Sequence, residues 1–540
     1  MKTKLRALIL ENALNYKGKA NPKAIIGKFL STHPKEKNNI KEISKLIIEL
    51  TEEVNSLTLE QQKQELQAIG PTEKKEKTQK EFELKNPKKP ILRFAPNPNG
   101  YLSLGHCRPA YWNHTLAKKY KGTFIVRFDD TDPKNKIPLK QAYKEIENDL
   151  KWLNLKPDKI IIQSKRLKIY YKYAELLIKN KQAYVCTCNQ EKKKNLTIKK
   201  QPCECRNTKD NIEEWKKLFN HYKEGQAILR IKTDVKHKNP AVRDFPAFRI
   251  VDKPQHPLDK TSKVWPLLNF ASAIDDHEFK ITHIIRGIDL SISDDRQKYI
   301  YKYFDWKYPE TQYHGKLLVK GIKSTSEIKK LIEQKKLKGW DDPSLGTIKA
   351  LKRKGFQPEA IKNFIKKARL TKTDVQVSIE NLNAENRALI EPIANRYFFI
   401  ENPKKIKIKD FTKEIVKIHL HPDFPKKGYR TFKTSDTFLI EEKIVKNKTY
   451  RLMHLFNFKN NQFLSKEYDQ KLKAKLIHWL PNEDLIKTEI LMPDSKIKKG
   501  LAEKTIKKLK INDIIQFERF AFCKLDKIEN NTFKFVYTHN

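Results

Sequence analysis

Residues 1 to about 70 alternate apolar and charged positions at helical spacing, as in IKEISKLIIELTEEVNSLTLEQQKQELQAI, and predict a helical appendage. The stretch GPTEKKEKTQKEFELKNPKKP then loses apolar periodicity and reads as a solvated linker closed by Pro90, so a domain boundary is expected near residue 88. From Ile91 the texture becomes strand, helix, strand: ILRFAP, then Gly105 to Tyr120 at helical spacing, then TFIVRF after the helix-ending Gly122. That βαβ order predicts an α/β domain built on a parallel sheet. Helical patterns return in LKQAYKEIENDLKWL and RLKIYYKYAELLIKN, a cysteine-bearing segment spans 186–205, mixed short elements run to about 285, and helices resume over 325–400. Beyond about 395 short β-type runs, RYFFI, KIKIKDF, YRLMHLFNF, KAKLIHWL and DIIQFERFAFCKL, predict a barrel or sandwich.

Length and charge sharpen this picture. A chain of 540 residues is too long for one core, and at roughly 100–200 residues per domain it holds three to five. The net charge of +48, from 113 Lys plus Arg against 65 Asp plus Glu, attracts polyanions and suggests a nucleic acid, although a lysine-rich surface solvated on every side has the same total. Glu11 and Asn12 interrupt the short apolar run at the N-terminus and no cleavage pattern follows, so it reads as an amphipathic helix and not a leader. Without an 18-residue apolar run no membrane span is expected; a cytoplasmic location follows as the expectation, with the six cysteines reduced.

The chemistry concentrates in RFAPNPNGYLSLGHCRPAYWNHTLAKKYKGTFIVRFDDTDP, Arg93 to Pro133. A helix N-terminus presents unpaired N–H groups and the positive end of its dipole, so Gly105 and His106 at the mouth of a helix suit a phosphate. On its own the Gly-His pair reads as a histidine capping a helix. Neither GxxxxGK[ST] nor GxGxxG occurs here. Cys186, Cys188, Cys203 and Cys205 form two C-x-C pairs separated by fourteen residues, a spacing that suits a closed, structural tetrahedral Zn²⁺ site. Cys107 and Cys523 stand alone and are expected in the core.

These motifs, with YVCTC, NPAVRDFPAFRIVD, WPLLNFASAIDDHEFKITHIIRG, GWDDPSLGTIKALKRKG, EPIANRYFFI and GLAEKTIKKLKINDIIQFERFAFCKLD, resemble the class I aminoacyl-tRNA synthetases, specifically the glutamyl and glutaminyl subfamily in its archaeal and eukaryotic form, over 90–540. The resemblance implies an appendage and linker over 1–88, the first half of a Rossmann-type catalytic domain over 89–185, and an inserted acceptor-end-binding domain with the Cys₄ site over 186–285. The second catalytic half and a helical connector would span 286–395, and anticodon-binding β-barrels 396–540. It implies a monomeric, ATP- and Mg²⁺-dependent enzyme that forms glutamyl-adenylate and esterifies the 3′ end of tRNA(Glu), with tRNA(Gln) left open as a second acceptor.

Residue by residue, Gly105 and His106 would meet ATP together with a mobile loop of Lys323, Ser324, Thr325 and Ser326; catalytic roles fall to Ser103, Gly105, His106, Ser324 and Ser326. Arg93 and Arg286 would hold the glutamate side chain and Asp129 its ammonium group. Arg286 and Asp132 match glutamyl rather than glutaminyl enzymes, because a guanidinium fork pairs fully with a carboxylate and only half with an amide. Trp340, Asp341, Asp342 and Arg353 would contact tRNA. Three positions depart from the family: Ser103 replaces the first histidine of His-x-Gly-His, Glu327 replaces a loop lysine for which Lys320, Lys323 or Lys329 would substitute, and Leu268 replaces a pocket tyrosine. They motivate one rival, a non-catalytic tRNA-binding paralogue; a glutaminyl enzyme is the other.

Overall fold

The structure is a computed structural model that describes residues 2–16, 18–32, 39–70 and 82–540; much of the expected linker, 71–81, lies outside the described residues. The chain divides into two compact units, Met1–Phe82 and Glu83–Asn540. The division precedes residue 88 because Leu84 is buried and His283 Nε2 donates to the Lys85 carbonyl at 2.7 Å, which ties this segment to the second unit. The first unit consists of α1 (Lys2–Asn15), α2 (Pro22–Thr32), α3 (Ile40–Ser56) and α4 (Leu59–Ile69). They close on Leu5, Ile9, Ala13, Ile47, Leu50 and Val54, and a Thr58–Gln61 capping box starts α4.

In the second unit β1 (Ile91–Phe94), β2 (Thr123–Phe128) and β3 (Lys159–Ile162) are joined by the crossover helices α5 (Leu104–Lys119) and α6 (Lys140–Trp152). The chain then leaves the sheet through α7 (Leu167–Lys179). It builds a separate antiparallel sheet of β4 (Ala183–Cys186), β5 (Ile228–Ile231), β6 (Pro246–Ile250) and β7 (Val264–Pro266), with α8 (Gln190–Ile198) and α9 (Asn211–Asn220) inserted. It returns through α10 (Leu268–Glu278) to β8 (His283–Gly287), α11 (Ser291–Tyr303) and β9 (Glu310–His314). The main sheet runs in the order β3-β2-β1-β8-β9 with every pairing parallel. All residues of TFIVRF after its first are buried, the pattern of a central strand covered on both faces. At the end of α5, Lys121 and not Gly122 takes the left-handed backbone (φ 53°). Gly122 is required for a different reason: a Cβ there would lie 2.8 Å from Pro90 Cδ.

Four further helices, α12 (Thr325–Glu333), α13 (Ile348–Lys354), α14 (Pro358–Ala368) and α15 (Ile379–Ile390), lead to a β-rich C-terminal region. It has two cores, one around Phe398, Phe438, Phe456 and Trp479 and one around Phe399, Phe517, Cys523 and Phe535. Three of the expected strands are each two. RYFFI breaks at Phe398, whose flanking strands Asn395–Tyr397 and Phe399–Glu401 lie at opposite edges of a seven-stranded sheet. YRLMHLFNF and DIIQFERFAFCKL turn back on themselves at His454 (φ 58°) and Arg519 (φ 60°).

The two cores are joined by a buried charge. Arg430 donates to Glu503 Oε2 at 2.7 Å and to Glu518, and its guanidinium sits 4.3 Å from the Phe398 ring centroid. Glu503 Oε2 also accepts the Phe398 N–H at 2.8 Å. Arg430→Ala strands two buried carboxylates and is expected to cost about 3–5 kcal/mol. Hydrogen exchange over 429–433 and 514–517 reads it, and unchanged protection there would refute the assignment.

Candidate active site

Strand register places three arginines on one face of the sheet. Arg93 on β1 is level with Ile125 on β2, so Arg127 lies two residues further along the neighbouring strand on the same face. Leu92 is level with His283 on β8, which puts Arg286 two residues further along on the other side. Each guanidinium has a built partner. Arg93 grips Asp276 of α10 through Nε (3.0 Å) and Nη2 (3.3 Å). Arg127 takes the same Asp276 oxygen at 2.6 Å and holds Asp129 bidentately at 2.6 and 3.2 Å, with Ser272 at 3.0 Å. Arg286 donates to Asp294 at 2.6 Å and to Gln297 at 3.2 Å on α11, while Tyr308 and Tyr313 donate to the same carboxylate.

Burial acts differently on the two carboxylates of this group. At Asp129 it prevails and pushes the pKa up, with Arg127 and Arg93 pulling against it. At Asp276 burial is outweighed by Arg93 and Arg127, which hold the carboxyl below its usual range. Asp276 therefore contributes stability that is present above the ordinary Asp pKa and lost as pH falls through its lowered one. Sequence reasoning missed Arg127, Ser272, Asp276 and Asp294. The signal was present: a charge inside the buried run FIVRF and two acids in the otherwise apolar ASAIDD.

The second cluster forms at the mouth of α5. Ser103 is the N-cap, and its backbone N–H donates to His106 Nδ1 at 3.2 Å with Oγ 3.0 Å away. Nδ1 is thus an acceptor and the proton resides on Nε2, consistent with burial lowering the pKa of His106. Ser103 orients the histidine. Of the first-turn N–H groups, Leu104's goes to the Gly346 carbonyl (3.0 Å) and those of His106 and Cys107 to Ser103's. That leaves the N–H of the exposed Gly105 for an anion.

Three separate segments close around this mouth. Ile348 N donates to Leu102 O at 2.8 Å, Tyr101 stacks on Trp340 at 5.1 Å, and a Cβ on Gly346 would come within 2.5 Å of Ile322. A Cβ on Gly100 would strike Thr325 and Trp340. Ser324, Thr325 and Ser326, expected in a mobile loop, are the N-cap and first turn of α12, and this helix start is packed against the Pro-Asn-Gly turn that precedes α5. Ser324 caps α12 by accepting the Glu327 N–H at 3.3 Å. Glu327 is the acid of an S-x-x-E helix start, where negative charge suits the dipole. Lys323 is half-buried and Lys320 exposed, and Lys329 reaches the Ile137 carbonyl at 3.5 Å.

Other expected residues fall elsewhere. Arg353, expected at phosphates, is held by Asp341 (3.2 Å) and by Asp526 of the C-terminal region (2.7 Å), so its charge is already matched. Asp342 is buried and accepts from Ser344 at 2.7 Å. Leu268, at the start of α10, is 43 % exposed. Asp132 pairs with Arg249 on β6, an interaction that joins the end of β2 to the inserted sheet and that asparagine would lose. Cys186, Cys188, Cys203 and Cys205 converge with their sulfurs all within 4.8 Å of one another. Separations of 3.1, 3.7 and 3.9 Å bracket the roughly 3.7 Å edge of a tetrahedron with 2.3 Å Zn–S bonds. Among the described residues a second group, Glu391, His421 and Asp423, is close enough for a metal. Both its imidazole nitrogens, however, are engaged by backbone.

The profile described as tRNA synthetases class I (E and Q), catalytic domain, matches residues 91–392, and two anticodon-binding profiles of the same group match 394–477 and 476–526. The chain belongs to this family. Glutamate–tRNA ligases of Methanocaldococcus jannaschii and Pyrococcus furiosus are similar to it at 44 % and 46 % identity, covering 100 % and 98 % of this chain and of theirs. A solved glutamate tRNA ligase from Elizabethkingia meningosepticum is similar over 57 % of this chain and 70 % of its own, at 21 % identity and a TM-score of 0.42. In this class I synthetase the parallel sheet lies within the catalytic-domain match; the first C-terminal core falls within the anticodon-binding matches, and the second extends past them to Phe533 and Phe535. Among the described residues no helix is long and apolar enough to cross a membrane.

Gly100→Ala forces apart the turn, Thr325 and Trp340, and is expected to cost about 1–3 kcal/mol. Limited trypsin digestion should cut faster at Lys320 and Lys323 in that variant; an unchanged cleavage rate would mean the loop is not seated there.

Proposed function

We propose that the chain is a glutamate–tRNA ligase. It joins glutamate to ATP as glutamyl-adenylate with release of pyrophosphate, then passes the glutamyl group to the 3′-terminal ribose of tRNA(Glu). The observation that carries this reading is the arginine face flanked by matched acids. Arg93 and Arg286 stand on adjacent strands, and Asp129 directly follows the strand that carries Arg127. Free glutamate offers complementary groups: its γ-carboxylate suits the N–H donors that Arg93 and Arg286 do not spend on Asp276 and Asp294, and its ammonium suits Asp129. A glutamine amide would turn its NH₂ donors toward the guanidinium donors, where a carboxylate presents acceptors only.

In the first step the α-carboxylate attacks the α-phosphorus in line, and the protein's task is to position two anions and stabilise the departing one. Gly105 N–H and neutral His106 donate to the triphosphate at the mouth of α5, and Lys323 with the Ser324–Ser326 turn covers it. Ser103 keeps the His106 proton on the outward nitrogen. Mg²⁺ supplies further positive charge as the ATP complex; neither candidate metal group lies at this mouth. The four cysteines fit a structural Zn²⁺ that pins the two arms of the inserted segment. Trp340 and Asp341, beside the helix mouth, and the C-terminal region face tRNA, consistent with the chain's +48 charge.

Charging of tRNA(Glu) and tRNA(Gln) transcripts with glutamate and with glutamine tests the reading. Transfer of glutamate is expected; glutamine alone would reverse the specificity, and no transfer of either would leave a tRNA-binding paralogue. Arg286→Ala should lower kcat/KM for glutamate by at least about 30-fold, the equivalent of about 2 kcal/mol, with tRNA affinity unchanged; equal losses would remove Arg286 from the pocket. Metal analysis should find about one zinc per chain, lost with a lowered Tm in Cys188→Ser; a zinc-free, equally stable wild type would exclude the metal.

A further inference from the structure

A groove of about 820 Å³ separates α6, α13 and the C-terminal strands, and among its lining residues is a carboxyl with an unpartnered oxygen. Asp149 of α6 is 4 % exposed, its Oδ2 is shut off from solvent, and no hydrogen bond reaches that oxygen among the described residues. A buried polar atom without a partner costs stability, so Asp149 does not hold the fold together. A ligand in the groove that hydrogen-bonds the carboxyl group would offset that cost.

The lining narrows the ligand. Trp152 offers a half-buried indole beside Asp149, and Asn512 faces it from the C-terminal region. Lys352 and Lys524 bring positive charge, Lys352 Nζ lying 5.9 Å from the Trp152 ring centroid and Lys524 Nζ donating to the Lys352 carbonyl at 3.0 Å. Lys349 is spoken for by Glu145 at 2.9 Å. A free phosphate would leave Trp152 and Asn512 uncovered, and a polyamine would meet the lysines. The arrangement suits a molecule with an aromatic ring, a neutral hydrogen-bonding edge and an anionic group at its other end. Burial pushes the Asp149 pKa up to about 8, so near neutrality the carboxyl carries a proton and presents a donor beside an acceptor. The edge of an unpaired nucleobase has the same alternation.

We propose that this groove receives one unpaired nucleotide of the bound tRNA, with its base edge on Asp149, its ring against Trp152 and its phosphate at Lys352 and Lys524. The inference rests on the reading that the chain binds tRNA. It adds a contact lying between the catalytic and C-terminal regions, lined by residues of both. A volume of this size is within the range of small-ligand pockets, which ordinarily run from about 300 to 1,000 Å³.

The test uses the full-length chain and tRNA(Glu) transcript. Asp149→Leu replaces the buried carboxyl by an apolar group of the same branching and heavy-atom count, so its Tm should equal or exceed that of the wild type. Its Kd for tRNA should rise about 5- to 100-fold, the span expected for one base contact. Base-selective chemical probing of the wild-type complex should find one unpaired base protected, and Lys352→Ala should weaken its protection if the leucine variant fails to fold. An unchanged Kd with no protected base that responds to either substitution would overturn the groove while leaving the ligase reading intact. A wild type that neither binds nor charges tRNA would overturn both.

Discussion

One carboxylate, that of Asp276, lets two guanidinium groups remain buried side by side. An unpaired ion in a protein interior costs several kcal/mol even after relaxation, so Arg93 and Arg127 cannot face each other across adjacent strands without a negative charge between them. Asp276 supplies it to both at 3.0 and 2.6 Å, and Arg127 passes the constraint on to Asp129. The helix that carries Asp276 is thereby fixed over the C-terminal ends of β1 and β2, where an open α/β sheet binds its ligand. The buried arginine face and the packing of α10 on the sheet are consequences of the same interaction.

The turn after β2 extends this logic outward. Each of its carboxylates is claimed by a different element. Asp129 faces Arg127 on its own strand, and Asp130 turns to the opposite side to accept from Tyr143 of α6 and from Ser164. Asp132 reaches Arg249 of the inserted sheet, and the Asp130 carbonyl lies 2.9 Å from His256 Nε2. A run of acids that a composition count treats as solvated surface is the junction of three parts of the molecule. The orientation of the insert is therefore coupled by short contacts to Asp129 and its partner Arg127.

The parallel sheet, its crossover helix and the cysteine pairing were legible because each depends on local spacing alone. Turns in the C-terminal region were not. Glycine is scarce in this chain, 15 in 540 residues, and the left-handed positions that end helices and fold hairpins are filled mainly by Asn, Asp and Lys. His454 and Arg519 turn strands where no ordinary turn signal exists, so YRLMHLFNF and DIIQFERFAFCKL read as single strands. At the helix mouth the residue types were readable but their work was not. Ser103 resembles a lost catalytic group in the sequence, whereas in three dimensions it holds the imidazole. Arg353 stands among basic neighbours in the sequence, and only the fold brings Asp526 to it from far along the chain.

The division of labour between the two cations explains why charge was hard to interpret from composition and where it was informative. Lysine far outnumbers arginine in this chain, yet among the described residues the buried cations are Arg93, Arg108, Arg127, Arg243, Arg286, Arg430 and Arg451, with Lys193 as the one lysine. An ammonium taken from water loses a compact hydration shell and tends to surrender its proton, as desolvation of the half-buried Lys354 lowers its pKa to about 8. A guanidinium stays charged and divides its donors between two acceptors, as Arg127 does between Asp129 and Asp276. Where lysine is the default surface cation, an arginine inside an apolar run is therefore a position where planar, bidentate pairing is required. Arg93, Arg127 and Arg286 satisfy that condition in ILRF, FIVRF and HIIRG, so a reading that weighted arginine by its surroundings would have reached Arg127 along with the other two.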